Sequence, residues 1–185
     1  MTTANKITIL RMILVPVFMV FLLIDNTACQ MSALIVFILA SLSDAVDGYI
    51  ARHYNQITNF GKFMDPLADK MLTTAAFLIL LEQGRITWFA PVAIMLVLAR
   101  EFMVAGLRMV CGSEGSVIAA SMLGKIKTVA QMIAIIIAIL LMNENWFPQN
   151  TAILVTNILI WISTIITVLS GIDYVWKNKA VFKNN

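Results

Sequence analysis

Four aspartates lie close together in the first half of the chain, in two pairs. Asp44 and Asp47 are three residues apart, and Asp65 and Asp69 are four residues apart. Residues at these spacings share one face of a helix, so each pair presents its carboxylates side by side. Carboxylate oxygens suit Mg²⁺ or Mn²⁺, and four of them can hold two metal ions about 3.5–4 Å apart. Such a site stabilises the attacking and leaving oxygens of a phosphoryl displacement.

The elements that must position these aspartates are those of an integral membrane protein. The 185 residues are 61% hydrophobic and 12% charged, and the mean hydropathy is +0.90, whereas about a quarter of the residues of a soluble domain are charged. Six apolar segments are separated by short polar stretches, and each is predicted to be a helix because backbone groups must be satisfied within lipid. The segments are 7–24, 31–50, 66–81, 86–110, 126–142 and 149–172. We therefore expect a single domain over 1–185, an all-α bundle of six transmembrane helices.

Basic residues are distributed unevenly between the two predicted membrane faces. With six spans, both termini and the second and fourth connections share one face, which receives twelve of the thirteen lysines and arginines; only Arg85 falls on the other face. This positive-inside pattern predicts that both termini are cytoplasmic. The net charge of +3 is too small to indicate nucleic acid as a partner.

The four aspartates all fall at the predicted cytoplasmic end of the bundle. A charge at the centre of the bilayer costs about 2.5–3.5 kcal/mol, and ionisable groups within membrane segments usually line polar cavities. We therefore expect a polar active-site cavity that opens to the cytoplasm. A structural interpretation competes, in which Asp65 caps a helix and the other aspartates are solvated loop charges. Both pairs lie on one membrane side with glycines and Arg52 between them, which favours a site.

The residues around the aspartates resemble the signature of the CDP-alcohol phosphatidyltransferases. The matching pattern is Asp44-x2-Asp47-Gly48-x2-Ala51-Arg52-x8-Gly61-x3-Asp65-x3-Asp69. The resemblance implies that Asp44, Asp47, Asp65 and Asp69 hold two divalent cations, Mg²⁺ or Mn²⁺, and that Asp69 is also the general base. It implies a CDP-linked lipid donor, CDP-diacylglycerol, that is attacked at its β-phosphate while CMP departs. It also implies a homodimer.

The resemblance further implies a donor site built from small and polar residues. Gly48 and Gly61 have no side chain, so a nucleotide can approach the backbone closely, and Arg52 can bind a pyrophosphate oxygen. Asn5 and Thr8 match the N-x-x-T donor-binding element of the family, although a helix cap and a satisfied helix hydroxyl are alternatives. The predicted CDP-diacylglycerol site comprises Asn5, Thr8, Asp44, Asp47, Gly48, Ala51, Arg52, Thr58 and Gly61.

The acceptor is indicated by basic residues further along the chain. Arg100-Glu101, the stretch GKIKT at 124–128, and Arg11 resemble the phosphatidylglycerophosphate synthases of this family, whose acceptor is sn-glycerol 3-phosphate. An acceptor that carries its own phosphate needs cations separate from the metals. The predicted acceptor-phosphate residues are Arg100, Lys125, Lys127 and Arg108. Lys125 and Lys127 can instead be ordinary positive-inside anchors, and Arg108 can face lipid headgroups.

Two alternative functions stay open at this point. The first is a sister transferase that uses inositol phosphate or another alcohol, with the same metal site. The second is a metal-ion or proton-coupled transporter, which also buries carboxylates; a transporter needs polar access from both membrane faces, whereas charges are absent from the outer halves of most of the predicted helices. The absence of an organelle presequence favours the plasma membrane of a bacterium.

Overall fold

The computed structural model describes residues 2–53, 58–113, 122–143 and 146–178. Within these ranges the protein consists of six α-helices and contains no β-strand, as the sequence predicts. The helices are α1 (Thr3–Leu23), α2 (Thr27–His53), α3 (Asn59–Glu82), α4 (Ala90–Ser113), α5 (Met122–Leu140) and α6 (Gln149–Lys177).

The helices have the lengths and composition of membrane spans, with one exception. Among the described helices, α1, α2, α4, α5 and α6 are long and apolar enough to cross a membrane. Helix α3 is not, because Lys62, Asp65, Asp69 and Lys70 lie in its first half. Its apolar part, 71–81, has eleven residues and is therefore about 16 Å long, roughly half the thickness of the hydrocarbon core. The protein is a multi-pass membrane protein, and its third segment departs from the apolar pattern of the other five.

Two groups of helices form the bundle. Helix α1 packs mainly against α2 and α3, while α6 packs against α5 and α4. Contacts of α2 with α5, and of α3 with α4 and α5, join the groups. The core between them is apolar and includes Phe18 and Phe37, whose ring centroids are 5.6 Å apart. Large aliphatic side chains such as Ile13, Leu39 and Ile165 are exposed, as expected for surfaces that face lipid.

Helix α6 carries a buried stripe of small polar residues. Its members are Thr156, Asn157, Ser163, Thr164, Thr167 and Ser170. Small residues let membrane helices approach closely, and their polar groups form hydrogen bonds between helices. Gln131 of α5 donates from Nε2 to Thr167 Oγ1 at 3.0 Å. This stripe is therefore the surface through which α6 joins its neighbours.

Asn157 joins α6 to the connection between α3 and α4. Its Oδ1 accepts hydrogen bonds from the backbone N–H groups of Thr87 and Trp88, both at 2.9 Å. Its Nδ2 donates to the carbonyl oxygens of Ile153, at 2.7 Å, and Arg85, at 3.3 Å. An amide side chain has two donor hydrogens and two acceptor lone pairs. Asn157, which is fully buried, uses all four and so fixes where α4 begins relative to α6.

Candidate active site

Three polar residues on one face of α1 contact the helices that carry the aspartates. Asn5, Thr8 and Arg11 are spaced three residues apart, and all are buried. The Thr8 hydroxyl donates to Asp65 Oδ1 at 2.7 Å, and Arg11 Nη1 donates to Asp44 Oδ1 at 2.6 Å. Since Thr8 and Arg11 are about 4.5 Å apart along the helix axis, α1 brings one carboxylate from α2 and one from α3 to the same short stretch.

Arg11 and Asp44 form an ion pair further along α1 than Thr8. Arg11 is 1% exposed and Asp44 is 43% exposed, so the carboxylate reaches the surface while the guanidinium is enclosed. Arg11 Nε also donates to Ser43 Oγ at 3.1 Å, and the Ser43 hydroxyl donates to the Ala40 carbonyl at 2.7 Å. Sequence reasoning did not place Arg11 in the site. The sequence did contain one signal for this role, because Arg11 is a charged residue in an apolar segment and such a charge needs a partner.

The start of α3 brings Asn5, Thr58 and Gly61 together. Thr58 is the N-cap of the helix: its Oγ1 accepts from the Gly61 backbone N–H at 3.0 Å, and its hydroxyl donates to Asn5 Oδ1 at 2.9 Å. A methyl group on Gly61 would lie 3.2 Å from Asn5 Oδ1, 3.3 Å from Thr58 Oγ1 and 3.6 Å from Asp65 Oδ2. Gly61 therefore leaves a small space among three oxygen atoms, which a side chain would fill.

The side chains of several predicted site residues lie outside the part of the chain that the structure describes. These residues are Asp47, Gly48, Ala51 and Arg52, which belong to the last turns of α2, and Asp69, which belongs to α3. Among the described side chains, no group of three or more potential metal ligands is present. The predicted four-aspartate cluster is thus represented by Asp44 and Asp65, whose described hydrogen bonds use Oδ1 alone.

A second charged cluster surrounds Glu101 of α4, which is buried. Lys70 of α3 donates from Nζ to Glu101 Oε2 at 2.6 Å, and Lys127 of α5 donates from Nζ to Oε1. Arg100 Nη1 lies 3.5 Å from the same Oε1. Three cations therefore contact one carboxylate, and two of them, Arg100 and Lys127, are buried; among the described side chains here, positive charge exceeds negative charge where α3, α4 and α5 meet.

Arg100 is the member of this cluster with unused hydrogen-bonding capacity. It is 7% exposed, and its Nη2 donates to Ser170 Oγ of α6 at 2.8 Å. Its Nε has no hydrogen-bond partner among the residues that the structure describes. A buried donor without an acceptor is costly, and a guanidinium presents its donors in a geometry that matches phosphate. The cluster is therefore suited to an anionic group.

The four residues predicted to bind the acceptor phosphate have different surroundings in the structure. Arg100 and Lys127 meet at Glu101, whereas Lys125 is exposed. Arg108 donates from Nε to the Tyr174 hydroxyl at 3.2 Å, and its guanidinium carbon lies 5.6 Å from the centroid of that ring. Lys70 was not among the predicted residues. Its position directly after Asp69, a predicted site residue, could have indicated that it lies near the site.

The acidic stretch and the basic cluster are connected through α3. Asp65 contacts α1 and Lys70 contacts α4, and five residues correspond to about 7.5 Å along a helix. The first half of α3 therefore links a carboxylate that can bind a cation to a lysine that can bind an anion. This arrangement suits a reaction in which a phosphate-bearing molecule approaches a cation-bound substrate.

Similarity to known proteins indicates the family of this chain independently of its structure. The sequence profile described as CDP-alcohol phosphatidyltransferase matches residues 1–169. A protein of Bacillus subtilis (strain 168) named CDP-diacylglycerol–glycerol-3-phosphate 3-phosphatidyltransferase is 41% identical, over 98% of this chain and 97% of its own length. Proteins with the same name from Rickettsia typhi and Escherichia coli (strain K12) are 35% and 33% identical, over 96% and 91% of this chain and 97% and 90% of their own lengths.

Proposed function

The chain belongs to the CDP-alcohol phosphatidyltransferase family, and we propose that it transfers the phosphatidyl group of CDP-diacylglycerol to sn-glycerol 3-phosphate. A hydroxyl oxygen of the acceptor bonds to the β-phosphorus of the donor, the bond from that phosphorus to the oxygen of CMP breaks, and the hydroxyl proton passes to a base. The products are phosphatidylglycerol phosphate and CMP. The reaction is supported by relatives with this enzyme name that are similar to the chain over nearly their full length.

The structural observation that carries the choice of acceptor is the cluster around Glu101. An acceptor with a phosphate monoester brings two negative charges towards a site that already holds carboxylates and a pyrophosphate. Arg100 and Lys127 are buried against one glutamate, so among the described side chains this cluster carries net positive charge within the bundle. A neutral alcohol such as glycerol has no negative charge that could pair with this cluster. Lys125 and Arg108 are proposed as a more distant part of the same basic surface.

The proposed metal site consists of Asp44, Asp47, Asp65 and Asp69. Asp44 and Asp65 fit this role because their described hydrogen bonds engage Oδ1, which leaves the second oxygen of each carboxylate for a cation. When bound, two Mg²⁺ or Mn²⁺ ions supply charge stabilisation for the phosphoryl displacement. Arg11 and Thr8 orient the carboxylates. Asp69, one turn after Asp65 and directly before Lys70, is proposed as the base that receives the hydroxyl proton.

The proposed donor site lies where α1 meets α2 and α3. Gly61 leaves space beside Asn5 and Thr58, which supports the close approach of a nucleotide to the backbone there. The other residues proposed to bind the same donor are Thr8, Asp44, Asp47, Gly48, Ala51 and Arg52.

The position in the membrane is also a proposal. We propose a single domain with six spans, both termini and the active-site cavity on the cytoplasmic side of a bacterial plasma membrane, and a homodimer. The bias of basic residues towards one face supports the orientation. Helix α3 can complete a six-span bundle although its first half is charged, because α1, α2, α4 and α5 pack around it.

The test is a transferase assay with a panel of acceptors. Purified protein is incubated with CDP-diacylglycerol, Mg²⁺ or Mn²⁺, and either glycerol 3-phosphate, inositol phosphate, serine or glycerol, and the lipid product is identified by mass spectrometry. We expect CMP release that requires glycerol 3-phosphate. Preference for inositol phosphate would instead support the sister transferase, and metal-dependent ion flux without CMP release would support the transporter.

A further inference from the structure

Two consecutive residues of α6, Ser170 and Gly171, lie against Arg100. Ser170 accepts a hydrogen bond from Arg100 Nη2 at 2.8 Å, and both α6 residues are buried. Neither belongs to the signature of the family, and the mechanism proposed above gives them no role. They lie in the last turns of a helix that otherwise contacts α4 and α5 through its polar stripe.

Gly171 determines where the stem of the Arg100 side chain can run. A methyl group at Gly171 would lie 2.7 Å from Arg100 Cγ, 3.7 Å from Arg100 Cβ and 3.4 Å from Met103 Cε. The first distance is shorter than the closest approach of two non-bonded carbon atoms. Because Cγ is near the base of the side chain, relief requires a different χ1 angle or a shift of α4 against α6, and either would move the guanidinium relative to Ser170. The absence of a side chain at Gly171 therefore permits the observed rotamer of Arg100, which any larger residue would disturb.

Ser170 then fixes the plane of the guanidinium. The bond from Nη2 to Ser170 and the approach of Nη1 to Glu101 Oε1 hold two of the three nitrogens. The third, Nε, is buried without an acceptor among the described residues. Held in this way, the guanidinium has one donor, Nε, whose hydrogen bond no described residue accepts.

We infer that Ser170 and Gly171 are positioning residues for the acceptor: they hold Arg100 in the one orientation that binds the phosphate of glycerol 3-phosphate. This inference rests on the proposed function. Positioning by residues that do not touch the substrate has a large effect on rate and affinity, because a displacement of about 1 Å can cost roughly 100-fold. The alternative is that Gly171 and Ser170 serve helix packing alone.

The chain contains a matched control for the glycine. Gly106 lies in α4, also within a helix, and a methyl group there would have no neighbour within 4 Å. Replacing either glycine by alanine changes helix propensity by the same amount, so any difference between the two variants reports what surrounds the methyl group. For Ser170, alanine removes the acceptor without adding an atom near Arg100 Cγ, and threonine restores the hydroxyl.

The experiment is steady-state kinetics with each substrate varied in turn, on wild type and on Gly171→Ala, Gly106→Ala, Ser170→Ala, Ser170→Thr and Arg100→Ala. For Gly171→Ala we expect a rise in KM for glycerol 3-phosphate of about 10- to 100-fold, the effect of losing a hydrogen bond to a charged group, with KM for CDP-diacylglycerol within about twofold of wild type. Gly106→Ala should match wild type for both substrates. Ser170→Ala should raise KM for glycerol 3-phosphate by about 3- to 10-fold, the effect of one hydrogen bond, and Ser170→Thr should recover most of it.

The double variant Arg100→Ala with Gly171→Ala separates positioning from packing. If Gly171 acts through Arg100, its substitution adds little once that side chain ends at Cβ, whereas independent effects would multiply. Should Gly171→Ala fail to fold, the two Ser170 variants carry the same test.

The failure of this inference is distinguishable from the failure of the proposed function. If Arg100→Ala raises KM for glycerol 3-phosphate while Gly171→Ala behaves like Gly106→Ala, the inference is wrong and the acceptor site stands. The inference is also wrong if KM for both substrates rises equally in Gly171→Ala. If Arg100→Ala leaves KM for glycerol 3-phosphate unchanged, the proposed acceptor site is wrong, and the inference is lost with it.

Discussion

Replacing Glu101 by glutamine removes the one carboxylate that Lys70, Lys127 and Arg100 share, while it preserves the size of the side chain. The Glu101 side chain is 8% exposed and contacts all three cations. In the variant those cations would repel one another, and an uncharged amide could accept a hydrogen bond from only one or two of them. We expect the protein to be destabilised and its affinity for anions to increase.

The magnitude follows from the burial of the pair. Removing one partner from a buried ion pair costs about 3–5 kcal/mol because the remaining charge is left uncompensated. For a protein of this size, 1 kcal/mol corresponds to roughly 2–4 °C in Tm, so Glu101→Gln should lower Tm by about 6–20 °C. A ligand at a hundred times its Kd then restores about 2.7 kcal/mol. Inorganic phosphate or glycerol 3-phosphate should therefore recover a large part of the loss.

The assay is thermal unfolding of the detergent-solubilised protein with and without these two anions. The matched control is Asp173→Asn, which breaks the pair of Asp173 with Lys177 on the surface of α6 at 2.8 Å, where the lysine is 65% exposed. A surface pair at this helix spacing contributes about 0.3–0.5 kcal/mol, so Asp173→Asn should change Tm by less than about 2 °C. Equal Tm values for the two variants, or no larger anion-dependent rise in Glu101→Gln than in wild type, would refute the reasoning.

The remaining predictions concern the metals, the base and the scaffold. Chelation with EDTA should abolish CMP release reversibly, with recovery on addition of Mg²⁺ or Mn²⁺, and turnover that persists in EDTA would contradict the metal site. Asp69→Asn should lower kcat by about 10²–10⁴-fold, and recovery at high metal concentration would show that Asp69 is a ligand and not the base. Arg11→Met should lower activity more than Arg11→Lys, which keeps a cation beside Asp44, and equal kcat/KM values would exclude a positioning role. Asn157→Leu should lower Tm, because each buried N–H left without an acceptor costs about 1–3 kcal/mol, and an unchanged Tm would contradict its role in joining α6 to the connection between α3 and α4.

The helices could be predicted from the sequence because hydropathy over about 20 residues is a local property. Segments 7–24 and 149–172 are close to the observed α1 and α6, and no tertiary information was needed to find them. The ends of the helices were less accurate. Helix α3 begins at Asn59, seven residues before the predicted segment, because the Thr58 cap and the polar first turns carry no hydropathy signal. Hydropathy indicates which residues prefer lipid, but it does not indicate that the charged half of α3 is also helical.

The contacts within the site could not be predicted in the same way, because they join residues far apart in the chain. Arg11 and Asp44 are 33 residues apart, and Lys127 and Glu101 are 26 apart. A charge in an apolar helix implies a partner, but several carboxylates were available to Arg11, and only the packing of α1 on α2 selects Asp44. The same holds for Gly171, since neither its type nor its spacing indicates that Arg100 lies against it.

The charged first half of α3 explains why other helices surround this one. A helix with Lys62, Asp65, Asp69 and Lys70 in its first turns cannot face lipid without a cost of several kcal/mol. Helices α1, α2, α4 and α5 all contact it, and two of them provide partners, with Thr8 donating to Asp65 and Glu101 accepting from Lys70. Asp65 and Lys70, which the proposed chemistry requires, are thus also residues through which α3 contacts its neighbours. A variant that made these turns apolar would remove both the chemistry and the reason for this arrangement.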